Sequence, residues 1–107
     1  MDLQEYYIKK IDEFGGLIRF MEQLEASRIY FKPEEQFHVD EVKVYMSMIY
    51  MMKVDVAGDV IKYKDKIHQC TLIYKAAYED TGSLFCYLMM AIHNVALNQC
   101  DSVRNIV

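Results

Sequence analysis

The chain has 107 residues, of which 53% are hydrophobic and 26% are charged, and its formal net charge is −4. This length predicts a single domain spanning 1–107, and the apolar fraction excludes an intrinsically disordered chain. With only 4 Gly and 1 Pro, turn signals are too scarce for a β-sandwich or barrel, so we expect long helices. The acidic balance and the lack of a basic stripe argue against direct binding of nucleic acid.

The first helix is predicted from Leu3 to about Arg28, where apolar residues recur at spacings of three and four. Gly15-Gly16 lies in its middle, and two adjacent glycines cost about 2 kcal/mol of helix stability relative to alanine. Either the helix breaks there or the glycines allow another helix to approach closely. We favour one helix that is kinked or shortly broken at the pair.

A connecting segment is predicted between the first two helices. Residues 29–32 are expected to form a short linking arm, or alternatively a small strand, because the residue before a proline prefers an extended backbone. Pro33 suits the first position of the next helix.

The segment 42–54, which contains "VYMSMIYMMKV", fits two kinds of secondary structure. Its apolar residues alternate strictly, as in a strand, but they also fit helical spacing. Methionine is a good helix former with a weak preference for strands, and about fifteen residues is long for a strand. The opposite face of such a strand would also be too apolar for solvent. We therefore predict a helix.

A third helix is predicted from its heptad spacing. The seam steps 4-3-4-3-4-3 through Val56, Val60, Tyr63, Ile67, Cys70, Tyr74 and Ala77. Asp80-Thr81-Gly82-Ser83 ends this helix and caps the last one, Leu84 to about Asn98, while 99–107 is predicted to be a frayed tail. The predicted fold is all-α, a small antiparallel bundle of about four helices.

The three cysteines and the N-terminal residues predict the cellular compartment of the protein. Cys70, Cys86 and Cys100 show no CxxC spacing, and "MDLQEYY" lacks the basic and apolar regions of a signal peptide. No window approaches the run of about 18 apolar residues that a membrane span needs. We therefore expect a soluble, cytoplasmic protein with reduced, buried thiols and no membrane association.

Acid–histidine pairs at the i, i+3 spacing of di-iron bundles occur twice, as Glu35 with His38 and Asp65 with His68. Antiparallel packing of the second and third helices would separate the two pairs by about 12 Å along the bundle, and the last helix offers no carboxylate. There is no G-x-S-x-G elbow and no phosphate-binding glycine loop. We therefore expect no metal, no cofactor and no catalysis, and an enzyme using His68, His93 and the cysteines is only the third hypothesis.

The leading hypothesis is a protein–protein interaction module, because segments 44–54 and 84–92 are apolar on most sides. An adaptor, inhibitor or regulatory subunit could bury this surplus against a second copy (a homodimer) or against a different protein. The composition also suits an inhibitor encoded by a phage or mobile element. The predicted partner-binding residues are Tyr45, Met48, Tyr50, Met51, Phe85, Met89 and Met90.

A small-molecule-binding bundle is the alternative, with methionine, tyrosine and phenylalanine side chains lining an apolar pocket. His93, Asn94 and Tyr87 would then orient the ligand. The polar pair His93-Asn94 has a simpler interpretation, which we take as the default. Buried polar groups need partners, so the pair marks the point where the last helix reaches the surface.

Overall fold

The computed structural model describes the backbone of residues 2–106 and the side chains of residues 2–100. This part of the chain contains six α-helices and two short 3₁₀ helices, and it contains no strand. The α-helices are α1 (Leu3–Glu13), α2 (Leu17–Ala26), α3 (Phe37–Met51), α4 (Val56–Lys62), α5 (Lys64–Thr81) and α6 (Leu84–Ile106). The predicted all-helical fold is confirmed, and segment 42–54 is helical as far as Met51. The predicted number of about four helices is too low.

The first additional helix arises because the chain breaks at Gly15-Gly16. These glycines have φ values of 119° and 102°, a region that residues with a Cβ rarely adopt. A Cβ on Gly15 would also lie 2.7 Å from Cδ of Arg19. The backbone N–H of Gly16 donates to the carbonyl of Ile11 and closes the end of α1. The pair therefore breaks the first predicted helix into two instead of only bending it.

The second additional helix arises because the predicted heptad seam is interrupted at Tyr63. This residue has φ −108° and ψ 24°, so it separates α4 from α5. Its ring is exposed, and the ammonium groups of Lys62 and Lys66 lie 5.2 and 5.8 Å from the ring centroid. Such cation–π contacts are favourable at a surface. The heptad spacing predicts Tyr63 as a core residue, but its ring is at the surface. The next buried residue of the predicted seam is Cys70.

The connection between α2 and α3 is mostly 3₁₀ helix, at Ser27–Tyr30 and Pro33–Glu35. Only Phe31 and Lys32 between them are extended. The predicted linking arm is therefore shorter than 29–32, and the alternative of a strand is wrong for these described residues. Pro33 does begin a helix, as predicted, but a 3₁₀ turn comes before α3 itself.

The chain divides into two compact helical units, residues 1–54 and 55–107. In the first unit α3 packs on α1 and α2, and in the second unit α6 packs along α5 and on α4. Fully buried side chains of the first unit include Ile11, Phe20, Leu24, Val39 and Ile49. Those of the second unit include Val60, Tyr74, Cys86, Met89 and Ile92. The single domain expected for 1–107 stays a prediction.

The last helix is longer than predicted, because its backbone remains helical to Ile106. Val107 and the side chains beyond Cys100 lie outside the described residues, so fraying of 99–107 stays a prediction. The three cysteines are buried, as expected. No helix among the described residues combines the length and the apolar character that crossing a membrane requires.

Candidate protein-binding surface on α3

Helix α3 has two apolar faces on opposite sides. Val39, Met46 and Ile49 form the buried face, in the unit where α3 packs on α1 and α2. The opposite face carries four exposed side chains, which we call the α3 stripe: Phe37 (50% exposed), Val44 (62%), Met48 (36%) and Met51 (69%). At 100° per residue these four positions fall within a sector of about 60° centred opposite Met46. An amphipathic helix needs only one of these faces to pack into its own unit.

One flank of α3 is tied to α2 by polar contacts. Three contacts join α2 and the 3₁₀ helix that follows it to α3: Met21 with Ser47, Glu25 with Lys43 and Arg28 with Asp40. The residue numbers rise on the first side and fall on the second. The two ion pairs measure 3.0 Å for Lys43 Nζ to Glu25 Oε2 and 2.6 Å for Arg28 Nη2 to Asp40 Oδ1. The two helices therefore run antiparallel, and we call this set of contacts the α2–α3 ladder.

The ladder also sets the charge beside the stripe. Hydrogen bonds from Arg28 and Lys43 lower the pKa of Glu25 to about 2, and the hydrogen bond from Arg28 lowers the pKa of Asp40. Both carboxylates are therefore ionised at neutral pH. Exposed pairs of this kind add little stability, but they give the apolar stripe a charged border.

The two predicted tyrosines do not belong to the stripe. The hydroxyl of Tyr50 donates to Oδ1 of Asp12 at 2.7 Å, and this bond raises the pKa of Tyr50. Tyr45 is half-buried, about 80° around the helix from the centre of the stripe. Of the four predicted partner-binding residues on α3, the structure places Met48 and Met51 in the stripe.

Phe37 and Val44 are not among the predicted partner-binding residues, although the sequence pattern contains a signal for them. Phe37, Glu41, Val44, Met48 and Met51 follow one another at spacings of 4-3-4-3, the spacing of a helix–helix seam. The predicted partner-binding residues follow from residue type, which favours methionine and tyrosine, and not from this spacing.

The predicted partner-binding residues on α6 lie in the interior of the second unit. Phe85 and Met89 are buried, and Met90 is half-buried. The ring of Tyr74 packs edge-on against Phe85 with centroids 6.4 Å apart. Packing of α5 along α6 covers the Phe85 side of this helix, whereas Leu84 and Tyr87 at its start remain exposed. The candidate surface does not include the three predicted residues.

The predicted ligand-binding residues do not converge. Asn94 and Tyr87 are exposed, and the ring of Tyr87 packs against Tyr78 with centroids 5.2 Å apart. His93 is buried, 6.5 Å between ring centroids from Tyr74. Only Asn94 of the polar pair reaches the surface, so the default interpretation is wrong for His93. The reason is that adjacent residues point about 100° apart on a helix.

His93 is an unusual buried polar group. Neither ring nitrogen has a hydrogen-bond partner among the residues whose side chains are described. Burial lowers the pKa of His93 to about 4, because desolvation disfavours the charged imidazolium. The ring is therefore neutral at physiological pH.

The two acid–histidine pairs form no metal site in the described part of the chain. No three His, Cys, Asp or Glu side chains come together there in an arrangement that could hold a metal ion. His38 is buried with Nδ1 3.8 Å from Oε2 of Glu41, whereas His68 is exposed on α5.

Comparison with known proteins gives no indication of the protein's function. No family model matches the chain, and neither a curated protein nor a solved structure shows significant similarity to it. The α3 stripe and His93 are therefore interpreted from geometry and chemistry alone.

Proposed function

We propose that the protein is a helical protein–protein interaction module that acts by burying the α3 stripe against another protein chain. The supporting observation is the alignment of four exposed apolar side chains on the side of α3 opposite its buried face. Single exposed apolar residues are ordinary, whereas a contiguous exposed set marks an interaction site. Such a module would serve as an adaptor, an inhibitor or a regulatory subunit in the cytoplasm, without catalysis.

The chemistry of the stripe suits recognition of a helix. It extends over 14 residue steps from Phe37 to Met51, which is about 21 Å at 1.5 Å per residue. Phe37 offers an aromatic anchor, and the two methionines adapt to an irregular counterpart. The charged ladder supplies a polar border beside this apolar centre, the usual anatomy of an interface.

The test is a double substitution, Met48→Lys with Met51→Lys. Because both side chains are exposed, helicity and thermal stability should change little, while association should be lost. The matched control is Ile18→Lys with Ile29→Lys, two residues of the same unit that are each 78% exposed but lie off the stripe. Circular dichroism reports folding, and sedimentation together with cross-linking in the source cells reports association.

Two results would contradict the proposal. One is unfolding of the Met48→Lys, Met51→Lys protein, which would place these side chains in the core. The other is association that survives in this protein as well as in the control.

A second candidate function is small-molecule binding in the second unit, favoured by the two unpartnered nitrogens of His93. A ligand bearing a hydrogen-bond donor or acceptor would satisfy them, as buried polar groups generally require. Native mass spectrometry of the wild type and of His93→Leu tests this candidate. A bound mass present only in the wild type supports it, and bare chains in both samples refute it.

A further inference from the structure

We propose that the chain seated on the α3 stripe is a second copy of this protein, packed antiparallel with Val44 at the two-fold axis. This inference rests on the proposed function of the stripe and adds the identity and direction of the partner. The spacing of the stripe about Val44, the charges at its two ends and the position of Glu41 support it.

Three of the four stripe residues are evenly spaced about Val44, whereas the position that mirrors Met48 is Asp40. Val44 lies seven residues after Phe37 and seven residues before Met51. In an antiparallel pair centred on Val44, Phe37 of each copy lies at the level of Met51 of the other, about 10.5 Å from the axis. The same patch thus meets itself, as a two-fold symmetric interface requires. Its 3-4 spacing is that of helices packed at a shallow angle.

The two ends of the stripe carry opposite charges. Glu34 and Glu35 precede it, and Lys53 follows it, with Glu34 and Lys53 exposed. The antiparallel alignment brings the end of each stripe that Glu34 and Glu35 precede to the end of the other that Lys53 follows. A parallel pair would instead place glutamates beside glutamates and lysine beside lysine. Complementary charges of this kind select the antiparallel direction.

Glu41 supports the same direction. It is exposed on the edge of the stripe between Phe37 and Val44. In a parallel pair the two Glu41 carboxylates would lie at one level. In the antiparallel pair they are six residues apart, or about 9 Å along the helices. The antiparallel direction, which brings the oppositely charged ends of the stripe together, thus also separates the two Glu41 carboxylates.

The size of the stripe sets the strength of the dimer. Four apolar side chains on a 15-residue helix cover less than the roughly 800 Å² per partner of a standard stable interface. We therefore expect a reversible equilibrium between monomer and dimer and not an obligate dimer.

The first experiment is analytical ultracentrifugation of the full chain over a concentration series. The wild type should shift from monomer to dimer as concentration rises. Val44→Glu and Val44→Lys each place like charges face to face at the axis, so each should weaken the dimer at least about thirtyfold. Mixing the two variants should restore a dimer. Ile18→Glu, an exposed residue of α2 off the stripe, is the control and should dimerise like the wild type.

The second experiment tests direction by disulfide cross-linking of variants that each carry one added surface cysteine. A mixture of Phe37→Cys and Met51→Cys proteins should cross-link to each other, whereas each variant alone should cross-link poorly. The native cysteines are buried in the folded protein, so they should not react. Efficient cross-linking of each variant to itself, with none between the two, would show a parallel pair and overturn the inference.

The remaining outcomes separate the two proposals. A dimer that tolerates Val44→Glu overturns the second-copy inference. A wild type that stays monomeric, together with a different protein whose binding requires the stripe, overturns the inference and leaves the proposed function standing. Absence of any association that depends on the stripe overturns both.

Discussion

Mild acid should destabilise the second unit through His93, and the substitution His93→Leu should remove that loss. In the folded chain the imidazole is buried and its pKa is lowered from 6.5 to about 4. An unfolded chain exposes the ring to water, where its pKa returns to its ordinary value. As the pH falls, the unfolded state therefore takes up a proton before the folded state does. Stability is unaffected above about pH 6.5 and is lost as the pH falls from there to about 4.

The magnitude follows from the two pKa values. Their difference of about 2.5 corresponds, at 1.36 kcal/mol per unit, to about 3 kcal/mol over the whole range. Between about pH 7 and about pH 5 the loss should be about 2 kcal/mol. At neutral pH His93→Leu should itself be neutral or stabilising, because it removes a buried ring whose nitrogens lack partners.

Urea unfolding followed by far-UV circular dichroism at these two pH values measures the effect. The wild type should lose about 2 kcal/mol on acidification, and His93→Leu should lose less than about 0.5 kcal/mol. His68→Gln, which removes an exposed histidine of the same unit, should behave like the wild type. Protonation of Glu25, whose pKa is lowered to about 2, affects the free energy of unfolding only below about pH 4.5, outside the pH range of this measurement. An equal loss in His93→Leu and in the wild type would refute the reasoning.

Three further substitutions test other parts of the fold. Gly16→Ala should lower the free energy of unfolding by about 1–3 kcal/mol, because alanine is strained at φ 102°; urea titration measures this. Gly58→Ala should cost about 1 kcal/mol, since its Cβ would displace the Asp55 carboxylate that accepts from the N–H of Gly58 and caps α4. Asp55→Ala should cost about the same, and additive effects in the double variant would contradict this account. Arg28→Ala should lower the melting temperature, and this difference should shrink in high salt and as the pH falls from about 4.5 to about 2, where Glu25 is protonated. A difference independent of salt and pH would show that Arg28 acts by packing and not by charge.

Local chemistry explains which parts of the fold could be predicted. The Gly15-Gly16 break follows from residue type, because few other residues adopt their φ values. The break at Tyr63 could not be read from spacing, since the heptad pattern scores any aromatic residue as core. The ring lies at the surface, in contact with the neighbouring lysines Lys62 and Lys66. The strength of that contact depends on solvent exposure, which spacing does not report.

The candidate surface was only partly predictable for a related reason. Met48 and Met51 were identified as surplus apolar residues, and the structure leaves both exposed. Phe85 and Met89 look equally surplus in the sequence, yet they are buried. Whether an apolar helix is covered depends on which other helices pack on it, and spacing within one helix does not report that.

The α2–α3 ladder has a consequence for which face of α3 is left outside. Both faces of this helix are apolar, so hydrophobic character alone does not exclude a helix rolled by half a turn, with the stripe packed inside. Rolling would, however, carry Asp40 and Lys43 away from Arg28 and Glu25. Sliding α3 by about one turn in the direction that brings Asp40 level with Glu25 would instead oppose two carboxylates. The ion pairs of the ladder, although each adds little to stability, thus favour the observed orientation of α3, in which the stripe faces outward.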